Sequence, residues 1–457
     1  MADDMADVIV IGLGPGGEYL AGELAQAGLD VVAVEKELVG GECPYWACVP
    51  TKMMLRAAGL LAEARRIPGM AGQVSVQPDY RPVAARVREE ATDNWDDRVA
   101  VERLEGKGAR FVRGTGRLTG SREVTVDDRR FTARRGVVIA VGSVPTIPPL
   151  DGLGGTPFWT NRGAVLAETP PGSLLVLGGG AVGVELAQAF ARFGTTVTIV
   201  ETADRVLPAE EPESGDLLAD VLPRDGITVR TGVQPAAVSH DGARFRLRLQ
   251  GGTEAEEELV ADRLLVATGR RADLKALGLE AAGVDAGGRW LDVDEHMVVR
   301  EGLWAIGDVT GKGLFTHTSM YQASIAVRSV LDRPGPGADY RAQPRVTFTD
   351  PEVGAVGRTE RQARDDGVEV RVGRASVPSS ARGWIHKAGN DGFIKLVVDA
   401  QRDVLVGATA TGPCGGEVMS ALAVAIHGGV PVPRLREMIY AYPTFHRAIG
   451  DALGDLG

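Results

Sequence analysis

Short apolar runs that stop at glycines alternate, along the first half of the chain, with stretches whose apolar residues recur every three or four positions. Residues 7–11 form the first run. Residues 18–27 follow with helical spacing, and 31–35 read as a second strand. The same strand, glycine turn, helix and strand recur at 173–177, 178–183, 184–193 and 196–201. No short-period repeat is visible, which argues against a solenoid. Pro- and Gly-rich stretches at 144–157 and 333–338 mark seams. Beyond the second seam the pattern changes. Residues 345–349, 369–374, 392–399 and 404–410 read as strands, and 416–427 and 432–438 as helices, which predicts a separate α+β domain. The fold class expected is α/β: two Rossmann-like dinucleotide-binding domains plus a C-terminal α+β dimerisation domain.

Both glycine turns carry chemistry. Gly12, Gly14 and Gly17 form G-x-G-x-x-G directly after a strand. The first glycine permits a tight turn, the second lets backbone approach a pyrophosphate, and the third lets helix and strand pack closely. The helix N-terminus then offers free N–H groups to phosphate. Glu35 ends the second strand, where a carboxylate accepts from a ribose hydroxyl pair. Gly178, Gly180, Gly183 and Glu201 repeat the arrangement, so two dinucleotides are expected on one chain. A carboxylate at 201 favours the free 2′-hydroxyl of NADH and repels the 2′-phosphate of NADPH, with Arg205 nearby to soften the effect.

The chain has 457 residues, 44% hydrophobic and 24% charged, which is ordinary for a globular protein of two or more domains. Its net charge of −11 argues against nucleic acid or an anionic membrane as partner. No apolar run is long enough to span a bilayer, and the acidic N-terminal stretch lacks the basic residues of a secretion signal. A cytoplasmic location is expected. Of only three cysteines, two stand close together in Gly40-Gly41-Glu42-Cys43-Pro44-Tyr45-Trp46-Ala47-Cys48-Val49-Pro50-Thr51-Lys52. A helix is predicted over 53–65, which puts both thiols at or just before its N-terminus, with Lys52 adding positive charge. That setting stabilises a thiolate. A buried pair of small residues or half a metal site would be the inert alternatives, but no second Cys/His cluster completes a zinc site.

This stretch resembles the active-site signature of the class I pyridine nucleotide-disulfide oxidoreductases, the family of dihydrolipoamide dehydrogenase, glutathione reductase and mercuric reductase. Val138-Ile139-Ala140-Val141-Gly142-Ser143 and Val266-Ala267-Thr268-Gly269-Arg270-Arg271 resemble the family's two crossover strands, and Leu303-Trp304-Ala305-Ile306-Gly307-Asp308 its second FAD motif. The resemblance implies a homodimeric flavoenzyme with FAD and NADH (rather than NADPH) as cofactors. Its implied regions are an FAD-binding domain at 1–147, an NAD-binding domain at 148–264, a central domain at 265–337 and an interface domain at 338–457. It makes Cys48 the charge-transfer thiolate, Cys43 the interchange thiol, and Lys52 with Glu185 an ion pair beside the flavin. Asp308 would hold the ribityl chain, with Thr316 and His317 close to the isoalloxazine. Gly41, Gly116, Ser143 and Gly269 join the cofactor-binding set. Two arginines of NADPH-dependent relatives are replaced by Thr202 and Pro208, which again favours NADH.

The C-terminal segment departs from the family. Many members end in His-x-His-Pro-Thr-x-x-Glu, whose second His is the acid/base for thiol–disulfide exchange and is contributed by the partner subunit. Here the segment reads Tyr440-Ala441-Tyr442-Pro443-Thr444-Phe445-His446-Arg447, with Tyr442 at the histidine position and Arg447 at the glutamate position. A phenol ionises near about 10 and is a poor base at neutral pH. Tyr442 is read as a hydrogen-bond donor to an activated substrate, with a wall of the pocket as the plainer role; His446 could act as base only if its helix were rotated. Tyr45 and Trp46 replace the small polar loop of relatives, and either pack against neighbouring helices or reshape the face where substrate approaches. The C-terminal cysteine pair of mercuric reductases is absent, and Cys414 is expected to be a packing residue. The expected activity is reduction, or in reverse formation, of a disulfide or another activated acceptor such as a quinone or a metal ion. The alternatives are an atypical dihydrolipoamide dehydrogenase and a redox-sensing flavoprotein without turnover.

Overall fold

A computed structural model describes residues 4–250 and 257–456. Met1 to Asp3, part of the acidic stretch read above, and Gly457 lie outside the described residues. The chain forms two compact units. The first comprises Met1–Thr51, Ala85–Thr146 and Gly269–Asp339, and the second Lys52–Ala84, Ile147–Thr268 and Tyr340–Gly457.

The first unit is built on one sheet with the strand order Val298–Arg300, Leu303–Ala305, Arg129–Ile139, Asp4–Ile11, Val31–Glu35, Arg110–Arg113. The central pairs are parallel, with Ile11 opposite Val34 and Ile139. Alternate residues feed two cores. Ile9, Ile11, Val32, Val34, Val137 and Ile139 enter one, and Val8, Val10, Val31, Ala33 and Val138 the other. Burial on both faces is why these strands read as unbroken apolar runs instead of alternating ones. The helix predicted at 18–27 spans Pro15–Gln26 and buries Leu20, Ala21 and Leu24. It starts earlier because Pro15 sits in the first turn, where proline's missing N–H has no helical partner to lose.

Among its described residues the second unit holds three sheets. A parallel one has the order Ile227–Arg230, Thr196–Val200, Ser173–Leu177, Arg263–Val266 and packs the helix Ala181–Arg192. A three-stranded antiparallel sheet joins Pro235–His240, Phe245–Leu249 and Glu258–Ala261. The third is antiparallel with five strands, ordered Pro344–Thr347, Glu352–Gly357, Val404–Gly412, Phe393–Asp399, Val370–Ser376. Its core is closed by the helices Gly415–His427 and Ala448–Gly454 through Val418, Leu422, Ile426, Ile449 and Leu453. The predicted architecture of two Rossmann-like folds and a C-terminal α+β domain is therefore present. Among the described residues no helix is long and apolar enough to cross a membrane.

Candidate active site

In the first unit the glycines behave as their spacing requires. Gly12 has φ +93°, and a Cβ there would stand 2.6 Å from the Ala140 carbonyl oxygen. A Cβ on Gly17 would stand 2.1 Å from the Gly12 oxygen, so the third glycine is needed for helix–strand contact. Gly14 has nothing within 4 Å and leaves its face of the turn open, directly before the N-terminus of Pro15–Gln26. Gly41 (φ +67°) closes from the other side, its position for a Cβ only 2.8 Å from the Gly14 Cα. Glu35 is buried and accepts the Leu13 N–H at 2.7 Å and the Glu37 N–H at 2.8 Å. A carboxylate has about four lone-pair sites, so acceptor capacity remains for ribose hydroxyls. Gly116 begins a short strand, where a Cβ would press on Ile11 at 2.9 Å. Gly269 (φ +104°) accepts the Thr146 N–H through its carbonyl at 2.8 Å.

Asp308 lies just after the strand Leu303–Ala305. Burial pushes its carboxyl up, against the hydrogen bond from Ser143 and the charge of Arg270. The Ser143 hydroxyl donates to Asp308 Oδ2 at 2.6 Å. Arg270 donates to the Ser143 hydroxyl and carbonyl, each at 2.7 Å, and lies 3.6 Å from Glu42. The crossover motif gives Arg270 no role by itself; its link to Ser143 bridges residues far apart in sequence.

Cys43 sits in the single turn Glu42–Tyr45, and Cys48 is the first residue of the helix Cys48–Arg66. The helix begins five residues before the predicted start because Pro50 falls within its first turn, where proline is tolerated. The macrodipole there favours negative charge on the Cys48 sulfur. That sulfur stands 3.5 Å from the hydroxyl of Thr316, itself the first residue of the helix Thr316–Val330. His317 stacks on Phe315, with ring centroids 5.1 Å apart.

The second unit repeats the glycine geometry. Gly178 has φ +104°, a Cβ on Gly183 would meet the Gly178 oxygen at 2.0 Å, and Gly180 is open. Glu201 accepts from Gly179 N at 2.6 Å, Ala203 N at 2.8 Å and the Thr202 hydroxyl at 3.2 Å. Arg205 donates to Asp204 at 3.1 Å. Lys52 and Glu185 meet at 2.7 Å. The second Glu185 oxygen accepts the Phe348 N–H at 2.7 Å, and the Phe348 ring lies 4.7 Å from the Lys52 ammonium. No sequence signal pointed to Phe348.

In the C-terminal domain Tyr442 is 75% exposed and makes no hydrogen bond to a described residue. His446 lies 3.4 Å from the Thr444 hydroxyl, and Arg447 pairs with Asp451 at 3.4 Å. Cys414 packs against the domain core, and burial followed by the charge of Glu352 pushes its thiol up.

Comparison with known proteins gives a consistent picture. Residues 6–329 match the pyridine nucleotide-disulphide oxidoreductase family, and residues 343–453 match its dimerisation domain. A dihydrolipoyl dehydrogenase of Thermus scotoductus is 36% identical over 461 residues, covering 98% of this chain and 96% of that protein. A mercuric reductase of Acidithiobacillus ferrooxidans is 32% identical over 447 residues, covering 96% and 80%. Among solved structures, the Cu(II) complex of the HOCl-induced flavoprotein disulfide reductase RclA from Escherichia coli superposes with a TM-score of 0.85 at 26% identity, covering 99% of each chain. LpdA of Mycobacterium tuberculosis does so with a TM-score of 0.85 at 25% identity, covering 99% and 100%.

Proposed function

The chain belongs to the pyridine nucleotide-disulfide oxidoreductases, and we propose that within that family it is an NADH-dependent reductase whose Cys43–Cys48 pair passes electrons to a thiophilic metal ion. It is an FAD-dependent oxidoreductase, and the open face of Gly14, the spare acceptor capacity of Glu35 and the partly buried Asp308 fit FAD. When bound, FAD supplies the two-electron relay between nicotinamide and sulfur. By the family's pattern the regions 1–147 and 265–337 hold FAD, 148–264 holds the nicotinamide dinucleotide, and 338–457 forms the subunit interface. Trp384, Val424 and Ile439, at 77%, 72% and 95% exposed, give that last region the apolar surface a second copy would cover.

Within this reading the Cys43–Cys48 disulfide gains a hydride equivalent, two electrons and one proton. The S–S bond breaks to leave a thiol at Cys43 and a thiolate at Cys48, stabilised at its helix N-terminus beside Thr316. Return to the disulfide releases two electrons, which one Hg(II) or two Cu(II) ions accept, and the thiol proton passes to solvent. Glu201 selects NADH over NADPH by its charge, and Lys52 and Glu185 act as the family's ion pair.

The observation that carries the choice of acceptor is Tyr442, exposed and without a hydrogen bond to a described residue, where thiol-exchanging members keep a paired histidine. Exchange with a disulfide requires a proton for the leaving thiolate, and a positioned acid/base contributes about 10²–10⁴-fold. A metal ion bound by thiolates requires none. A mercuric reductase among the relatives and a Cu(II) complex among the similar structures favour the same class. The second reading, dihydrolipoamide oxidation, rests on the Thermus relative.

The test compares acceptors at saturating NADH. The wild type should reduce Cu(II) or Hg(II), and reduce lipoamide about 10²-fold or more below an ordinary enzyme. Introducing Tyr442→His with Arg447→Glu should raise lipoamide turnover about tenfold or more. Wild-type lipoamide turnover on the order of 10–10³ per second would overturn the metal-ion reading in favour of the second.

A further inference from the structure

The segment between the two cysteines, Pro44 to Ala47, is held by its aromatic side chains. The Trp46 indole stacks on that of Trp95, with centroids 5.5 Å apart and planes inclined by 24°. The Trp46 N–H bonds back to the Glu42 carbonyl at 2.8 Å, so the indole and Cys43 ride on one turn. Tyr45 is buried; burial, and then the charge of Asp97, push its hydroxyl up.

Trp95 reaches this position by a strained route. Asp93, Asn94 and Trp95 have φ of 47°, 56° and 58° in succession. Aspartate and asparagine visit this left-handed region with some ease, whereas a bulky aromatic residue does so rarely. The Trp95 Nε1 is buried with no acceptor among the described residues, which opposes folding. Both ends of the turn are anchored. The Thr92 hydroxyl bonds Arg88 O at 2.9 Å, while Asp97 accepts from Val39 N at 2.7 Å and pairs with Arg113 at 2.5 Å. A strained turn with an orphaned donor, pinned on both sides, persists where the placement of its side chain matters.

We propose that Trp95 is a positioning residue for the redox pair: both cysteines are thiols where the stack is seen, so by stacking on Trp46 it holds the loop in its dithiol arrangement, which favours the dithiol and makes it a weaker reductant. The inference rests on the reading of Cys43 and Cys48 as the redox pair. When two electrons and a proton are removed and the S–S bond closes, the loop must tighten into a ring. A contact made with both cysteines as thiols and loosened by ring closure shifts the equilibrium toward the dithiol. A stacked aromatic pair changes such an equilibrium by roughly two- to tenfold. For this two-electron couple that is about 10–30 mV.

The experiment uses purified holoenzyme equilibrated anaerobically with reference dyes, following the long-wavelength thiolate–flavin absorbance. Trp95→Leu keeps an apolar but smaller side chain and removes the stack, so its disulfide potential should fall by about 10–30 mV. Trp95→Phe retains an aromatic face and should restore most of the wild-type value. Trp46→Leu, made from the other side of the stack, should reproduce the fall and serves if Trp95→Leu loses FAD. An unchanged or raised potential in the leucine variants, with FAD content and the absorbance band intact, overturns the role of Trp95 alone. An equal fall in Trp95→Phe also overturns it, because the stack would not be the cause. Absence of the band in the wild type would sink the redox-pair reading itself, and this inference with it.

Discussion

Replacing Lys395 by methionine removes an ammonium that three carboxylates share. Lys395 lies on the strand Phe393–Asp399 with a side chain only 2% exposed, 2.9 Å each from Glu211, Glu213 and Glu360. Glu211 is 3% exposed and would retain the Glu360 N–H at 2.7 Å but no cation. Breaking a buried pair from one side destabilises by about 3–5 kcal/mol. Glu213 and Glu360 are 29% and 24% exposed and keep Arg374 and Arg364, so each adds under about 1 kcal/mol. A loss of about 3–5 kcal/mol is therefore expected in the urea transition that reports the second unit. Adding Glu211→Gln to the methionine variant should recover most of it, because the orphaned charge is gone.

The pH dependence follows with a definite sign. Burial works against the Lys395 charge, but hydrogen bonds to Glu211, Glu213 and Glu360 outweigh it and raise the ammonium above an ordinary lysine. Its contribution is complete below the unfolded value near about 10.4 and fades as pH rises through the folded one. Burial pushes Glu213 up and the Lys395 bond overcomes it; for Glu360 that bond is the leading cause of a lowered carboxyl. Their contribution is complete above about 4.3 and fades as pH falls through the folded values. The gap between wild type and variant should therefore be widest at neutral pH. A gap under about 1 kcal/mol there, or one that ignores pH, would refute the reasoning.

Two further outcomes are expected. Glu201→Gln removes the charge and keeps one of the two oxygens that accept the Gly179 and Ala203 N–H groups, so the NADPH-to-NADH ratio of kcat/KM should rise roughly tenfold, equivalent to about 1.4 kcal/mol of repulsion; an unchanged ratio would mean that Glu201 does not face the 2′ position. In a background with Cys43 and Cys48 replaced by serine, Cys414 should alkylate more slowly near pH 8 than an exposed cysteine, since its raised thiol holds less thiolate; equal rates would contradict the packing role.

Local chemistry made much of this molecule readable from its sequence. The glycine spacings placed both Rossmann turns because each glycine answers a short-range steric demand, as at Gly12 and Gly17. The spacing predicts the redox helix from residue 53, whereas it begins at Cys48 with Pro50 inside its first turn. Apart from the Lys52–Glu185 pair, which the resemblance implied, contacts between residues distant in sequence were not visible. Nothing in the order of residues brings Arg270 to Ser143, Phe348 to Glu185 or three glutamates to Lys395. The Trp46–Trp95 stack was equally hidden, since the left-handed run before it uses Asp and Asn, which look like any polar turn. The loss of the C-terminal histidine was legible by position, whereas the exposure of Tyr442 was not.

The central claim is that electrons pass through Cys43 and Cys48, and anaerobic titration of the holoenzyme with NADH tests it most directly. The account expects two electrons per flavin to produce a broad long-wavelength band from the Cys48 thiolate beside oxidised flavin, a band lost in Cys48→Ser. Simple bleaching to fully reduced flavin with no such band would contradict it and leave direct reduction of acceptors by the flavin as the mechanism.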